Sequence, residues 1–135
     1  MEFMNVLLDT NAYSALLRGN EKVLELLELS DTVYMSIIVI AELLSGFKGG
    51  NKEKCNYDML NEFISNPKVK IINASIKTAS IFSEIKHFLK QKGAPIPIND
   101  IWIAAHSYEY QATLLTFDNH FKEIPKISIW DFDNK

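Results

Sequence analysis

Val6-Leu7-Leu8-Asp9-Thr10-Asn11 is a short apolar run closed by an acid and followed by two small polar residues. Such a run, bounded by turn-forming residues, reads as a buried strand that delivers Asp9 to its carboxyl end. The construction recurs. Leu114-Leu115-Thr116-Phe117 runs into Asp118, Asp100 opens Ile101-Trp102-Ile103-Ala104-Ala105, and Glu42 interrupts the apolar stretch that begins Ile37-Ile38-Val39-Ile40-Ala41. No Lys or Arg lies within any of these runs. Moving a carboxylate toward an apolar core is costly unless something pairs with it, and a hard divalent cation is the natural partner.

Outward from Asp9, β-branched or apolar runs alternate with longer stretches of helical spacing, the pattern of an α/β chain with a parallel sheet. Strands are expected near residues 5–8, 32–35, 69–72, 113–116 and 127–130, with helices between them. Asn20 can cap a helix with Val23, Leu24 and Leu27 on one face, and Ser36 can cap the apolar helix holding Glu42, which ends at or just before Gly46. Asn66-Pro67 stops the next helix. Ile76, Ala79, Phe82, Ile85 and Leu89 mark a long helix ending at Gly93, and Ala94-Pro95-Ile96-Pro97-Ile98 is an extended connector.

At 135 residues the chain fits one domain, 1–135, able to bury a single sizeable core. Its longest apolar stretch, Val33 to Leu44, is too short to span a bilayer, and the N-terminus lacks the basic start and apolar region of a signal peptide. A cytoplasmic protein without membrane contact is expected. Cys55 is the only cysteine, which leaves no intrachain disulfide and no cysteine-based zinc site. A net charge of −3 argues against coating nucleic acid by bulk electrostatics, yet admits a nuclease whose metal supplies the positive charge.

In open parallel sheets ligands collect beyond the carboxyl ends of the strands. Asp9 and Asp118 end predicted strands, Glu42 lies about two turns along the helix after the second strand, and Asp100 is in the first turn of a helix introduced by Asn99, so all four can converge. Crowded carboxylates raise each other's pKa unless a cation neutralises them. Mg²⁺ or Mn²⁺ suits such an all-oxygen set, whereas zinc would favour His or Cys, neither of which looks placed for it. Thr10, Asn11 and Thr116 can orient the carboxylates or hold water. Each acid also has a plain reading: Asp9 as a helix cap, Asp100 as a first-turn acid on the helix dipole, Asp118 as a cap for Asn119 to Glu123, Glu42 as a helix-edge residue. His120 can neighbour the site but reads first as a surface residue beside Asn119, and His87 and His106 read as helix-surface or half-buried. The Lys-rich loop at 48–54 reads as a solvated face that, following the Glu42 helix, could also touch a phosphate backbone, and Asp131 and Asp133 read as a solvated tail.

Asp9-Thr10-Asn11, Ala41-Glu42-Leu43 with Gly46, Asn99-Asp100-Ile101-Trp102-Ile103-Ala104-Ala105, and Leu115-Thr116-Phe117-Asp118 with Phe121, in that order, resemble the PIN-domain ribonucleases and in particular the VapC toxins. The resemblance spans the whole chain. It implies a three-layer α/β/α sandwich around a five-stranded parallel sheet of order 3-2-1-4-5, with Asp9, Glu42, Asp100 and Asp118 as both catalytic and metal-binding residues. It further implies Mg²⁺- or Mn²⁺-dependent endoribonuclease activity on an RNA substrate, homodimerisation, and a cognate antitoxin protein as partner.

In such a site a bound ion activates water for in-line attack on a phosphodiester, and four carboxylates can serve one ion or two. Alternative readings are an RNA-processing PIN nuclease outside any toxin–antitoxin system and a catalytically silent module that binds RNA or protein. A phosphotransfer domain with an aspartate acceptor is disfavoured because position 11 is Asn and no Lys follows a late strand. No GxGxxG or P-loop supports a nucleotide-binding enzyme.

Overall fold

Strand β1 (Met4–Leu8) buries three consecutive residues, Val6, Leu7 and Leu8, to zero exposure. Successive strand side chains point to opposite faces, so both faces of the sheet must be covered there. β2 (Ser30–Ser36) and β3 (Val69–Ile72) lie on one side of β1, and β4 (Thr113–Leu115) and β5 (Ile129–Trp130) on the other, in the order β3-β2-β1-β4-β5 with every pairing parallel. The computed structural model describes residues 4–133. The three-layer α/β/α arrangement and the strand order implied by the resemblance are both found.

Six helices connect the strands: α1 (Thr10–Leu17), α2 (Glu21–Leu29), α3 (Ile37–Phe47), α4 (Glu53–Ile64), α5 (Ile76–Lys92) and α6 (Ile98–Glu109). The Asn20 side chain accepts the Val23 N–H at the start of α2, and the Ser36 hydroxyl accepts the Ile38 N–H at the start of α3, as their positions predicted. α5 starts with a reciprocal capping box between Ser75 and Thr78 and ends at Gly93, whose φ of 74° is the left-handed conformation that helix ends favour.

Several details differ from expectation. On α2 the buried face is Val23, Leu26 and Leu27, with Leu24 exposed, because the helix turns its 3.6-residue stripe by one position. Gly46 lies inside the last turn of α3 rather than ending it. Ile76 is 88% exposed, and burial on α5 starts only with Thr78. β5 shrinks to two residues; Lys126, with φ 68°, turns the chain just ahead of the expected strand. α6 begins one residue before Asn99, with Pro97 at its N-cap position and no side-chain cap. Cys55 is exposed, with its thiol facing the Met59 sulfur. His87 is exposed on α5, and Asp131 and Asp133 are exposed as expected. Lys48 pairs with Glu53 at the start of α4, and Lys54 with Asp58 along that helix, all on the surface. Among the described residues no helix is long and apolar enough to cross a membrane.

The topology positions the acids. Strand order reverses between β1 and β4, because the chain builds outward from β1 to β2 and β3 and then returns to β1's other side. The Asp9 N–H donates to the Leu115 carbonyl (3.3 Å), extending that pairing one step beyond β1. α6 runs back against the strands before β4, which puts its N-terminus, with Asp100, at the same carboxyl edge.

Candidate metal centre

Asp9 is the N-cap of α1, so its plain reading is also realised: Oδ1 accepts the Ala12 N–H at 2.8 Å. Its second oxygen accepts the Thr116 hydroxyl. Asp9 is 3% exposed. Burial pushes its carboxyl up to about 6; the bonds from Thr116 and Ala12 pull it down, and the charges of Asp118 and Asp100 push it up again. Thr116 also accepts the Asp118 N–H at 3.0 Å, so one hydroxyl ties the ends of β1 and β4 together. Asp118 stands at the cap position of a short 3-10 helix, Asn119–Glu123, but its side chain makes no capping bond.

Glu42 sits half-buried on α3, beside the exposed Ala41, Ser45 and Gly46, so its plain reading as a helix-edge residue is partly realised. Oε1 accepts the Thr10 hydroxyl at 2.6 Å and Oε2 accepts the Asn99 amide at 3.3 Å, so α1 and α6 both hold it. Asn11, by contrast, is exposed and makes no side-chain hydrogen bond to these acids. Asp100 occupies the first turn of α6. Burial raises its pKa, the hydrogen bond and charge of His120 lower it, and Glu42 and Asp118 raise it. The charge of Asp9 is felt with those of Asp118 and Asp100, and that of Asp100 with Glu42, so the four acids lie near the same carboxyl edge of the sheet.

His120 corrects the sequence reading. It is half-buried, and its Nε2 lies 2.7 Å from Asp100 Oδ2. Ligand atoms from Asp100, Asp118 and His120 all lie within 4.8 Å of one another. A histidine is thus placed at the site after all. The signal was an Asp-x-His spacing beside an expected ligand, followed by Phe121, whose full burial pins the segment. Asn99, whose place in the sequence suggests only the start of a helix, also holds Glu42 through its side-chain amide. Carboxylates, an imidazole and supporting hydroxyls make a donor set that fits a divalent cation.

His106 is buried completely, deeper than its half-buried expectation. Its Nε2 lies 3.2 Å from the Asn73 carbonyl and its Nδ1 2.9 Å from the Ser36 hydroxyl. A carbonyl only accepts, so Nε2 carries the proton and Nδ1 accepts from Ser36. Burial lowers the pKa of this ring and keeps it neutral.

A model of the PIN domain matches residues 6–127. The Rickettsia felis protein named Ribonuclease VapC2 is 37% identical over 111 residues, covering 82% of this chain and 81% of that protein. The solved structure of VapBC2 from Rickettsia felis bound to a DNA fragment from its promoter superposes with a TM-score of 0.82 at 34% identity, covering 95% of this chain and 100% of the other. DNA-bound VapBC from Salmonella typhimurium gives a TM-score of 0.84 at 25% identity over 96% of this chain and 98% of that one. On its sheet order, its convergent acids and these likenesses together, the chain belongs to the PIN domain family, among its VapC members.

Proposed function

We propose that this protein is a divalent-metal-dependent endoribonuclease, the toxin of a toxin–antitoxin pair, folded as one PIN unit over residues 1–135 and acting in the cytoplasm as a homodimer. The carrying observation is the convergence of Asp9, Glu42, Asp100 and Asp118, from four separate segments, on the carboxyl edge where strand order reverses. The name of the Rickettsia felis relative supports RNA as substrate, and the VapBC assemblies among its structural neighbours support an antitoxin protein as partner.

Asp9, Glu42, Asp100 and Asp118 are the residues that would hold Mg²⁺ or Mn²⁺. Such an ion supplies Lewis-acid activation of water and charge stabilisation at phosphorus. The chain's own contribution is to fix the donors before substrate arrives. Thr116 locks the Asp9 carboxylate to the start of the Asp118 turn, and Thr10 with Asn99 holds Glu42 from both sides. Burial of Asp9 keeps bulk water from screening its charge, while Glu42, Asp100 and Asp118 stay partly open to solvent. No serine, cysteine or threonine is needed as a nucleophile, since water fills that role.

The deciding experiment is RNA cleavage by the purified chain with and without chelator. Cleavage should vanish in excess chelator and return with Mg²⁺ or Mn²⁺. Activity undiminished by chelation would overturn the reading. Expression of the chain alone should arrest bacterial growth, and Glu42→Gln should relieve the arrest.

A further inference from the structure

The expected ligand set is all oxygen, yet the structure brings a nitrogen into it. Asp118 and His120 are separated by one residue at the start of a 3-10 helix, and Phe121, fully buried, anchors that helix to the core. His120 has its ring edge turned back toward α6, 2.7 Å from Asp100 Oδ2. Ligands of one octahedral ion at about 2.1 Å lie about 3 Å apart when adjacent and about 4.2 Å apart when opposite. The separation of Nε2 and Oδ2 is close to the adjacent value, and the 4.8 Å span of the whole group closes to the opposite value with a contraction of about half an ångström. The other acids are already engaged: both oxygens of Asp9 and both of Glu42 accept hydrogen bonds from the protein. Asp100, Asp118 and His120 are consequently the donors that reach the same point with the fewest competing bonds.

We propose that His120 is an inner-sphere nitrogen ligand of the metal centre, with Asp100 and Asp118, and that it biases the site toward Mn²⁺ over Mg²⁺. The inference rests on the metal-dependent reading above. The bias follows from ligand chemistry. Mg²⁺ holds its waters tightly and takes oxygen donors, whereas imidazole suits the transition-metal dications, whose affinity for nitrogen exceeds that of Mg²⁺. On binding, the ring carries its proton on Nδ1 and presents Nε2 to the ion, and Asp100 exchanges a hydrogen bond for coordination. Lys or Arg at this position would pair with Asp100 equally well but hold no metal, so histidine performs a task that a simple counter-charge does not.

The test is Mn²⁺ binding to the full chain, followed by electron paramagnetic resonance, with pulsed measurements on protein labelled with ¹⁵N-histidine. Wild-type protein should show the hyperfine coupling of a directly bound imidazole nitrogen. His120→Gln, which keeps a hydrogen-bond donor for Asp100, should lose that coupling and bind Mn²⁺ at least about tenfold more weakly, while Mg²⁺ affinity measured by competition changes less than about threefold. Circular dichroism checks the fold of the variant, and the wild-type spectrum decides the matter alone if the variant unfolds. Bound Mn²⁺ without nitrogen coupling would overturn the proposal, leaving His120 to orient Asp100 and the nuclease reading intact. Failure of wild-type protein to bind Mn²⁺ or Mg²⁺ at all would sink both.

Discussion

Thr116 carries two tasks with a single hydroxyl, donating to Asp9 and accepting from the Asp118 backbone. Thr116→Ala should reduce cleavage by about 10–100-fold without unfolding the chain, as losses of groups that orient ligands do; steady-state cleavage rates beside a thermal melt would show it. Asp9 makes a different prediction, about stability. Its folded-state pKa of about 6 exceeds the unfolded value of 3.8, so the native chain holds this proton more tightly than the unfolded chain does. The stability from that proton is complete below pH 4 and is lost as pH rises through about 6, to a total of about 3 kcal/mol for a group this deeply buried. In metal-free protein Asp9→Asn should therefore gain on wild type by about 2 kcal/mol of that total between about pH 4.5 and about pH 7.5, while abolishing cleavage. Urea unfolding at the two pH values measures it, and an unchanged difference would show that Asp9 is not strained. The four acids were legible because each interrupts or closes an apolar run, where acid is expensive. His120 was legible only in part: its Asp-x-His spacing offered the site, but the polar Asp118-Asn119-His120 stretch favoured the surface, and only the burial of Phe121 fixes the segment beside the acids.

At the level of elements, α3 is set by its first residues. The Ser36 hydroxyl caps the helix and also faces the buried His106 ring of α6, which in turn holds the Asn73 carbonyl beyond β3. This chain of hydrogen bonds joins the helix bearing Glu42 to the helix bearing Asp100. Ser36→Ala removes the cap, at a cost of about 1 kcal/mol, and strands the His106 nitrogen in the core, at about 1–3 kcal/mol more. A loss of roughly 2–4 kcal/mol in denaturant unfolding is expected, together with weaker cleavage as Glu42 drifts from Thr10 and Asn99. Replacing His106 by Ala in the Ser36→Ala background should then cost less than in wild type, because the two groups share one interaction. The cap at Ser36 could be read from the sequence; its partner could not, because His106 sits 70 positions away and only tertiary packing brings the two together. The same reason explains α2. Val23, Leu24, Leu26 and Leu27 are all apolar, so periodicity alone left two phases open, and contact with the core chose the one that exposes Leu24.

For the molecule as a whole, the alternation of runs specified a parallel α/β sheet, but any order of five such strands satisfies that pattern. The order 3-2-1-4-5 came from the family resemblance, and it matters because it sets β1 beside β4 and so Asp9 beside Asp118. The chain carries a net charge of −3, which gives RNA no general attraction to its surface. Binding should accordingly weaken when metal is withheld, as a filter-binding assay with wild-type protein and an RNA carrying a non-hydrolysable linkage at the cleavage site, with and without metal, would reveal. Product chemistry then separates this site from ribonucleases that employ the 2′-hydroxyl of RNA as nucleophile. That alternative needs an acid and a base flanking the phosphate. His106 is sealed in the core, His87 lies exposed on α5, and His120 alone stands beside the acids, so no pair of histidines is available. Water attacking in line, with the 3′-oxygen leaving, yields a 5′-phosphate on one fragment and a free 3′-hydroxyl on the other. Cleavage should persist, slowed only by weaker recognition, when the ribose at the cut is replaced by 2′-deoxyribose. End-group analysis of the fragments checks both points, and a 2′,3′-cyclic phosphate would mean that these carboxylates do something other than deliver water.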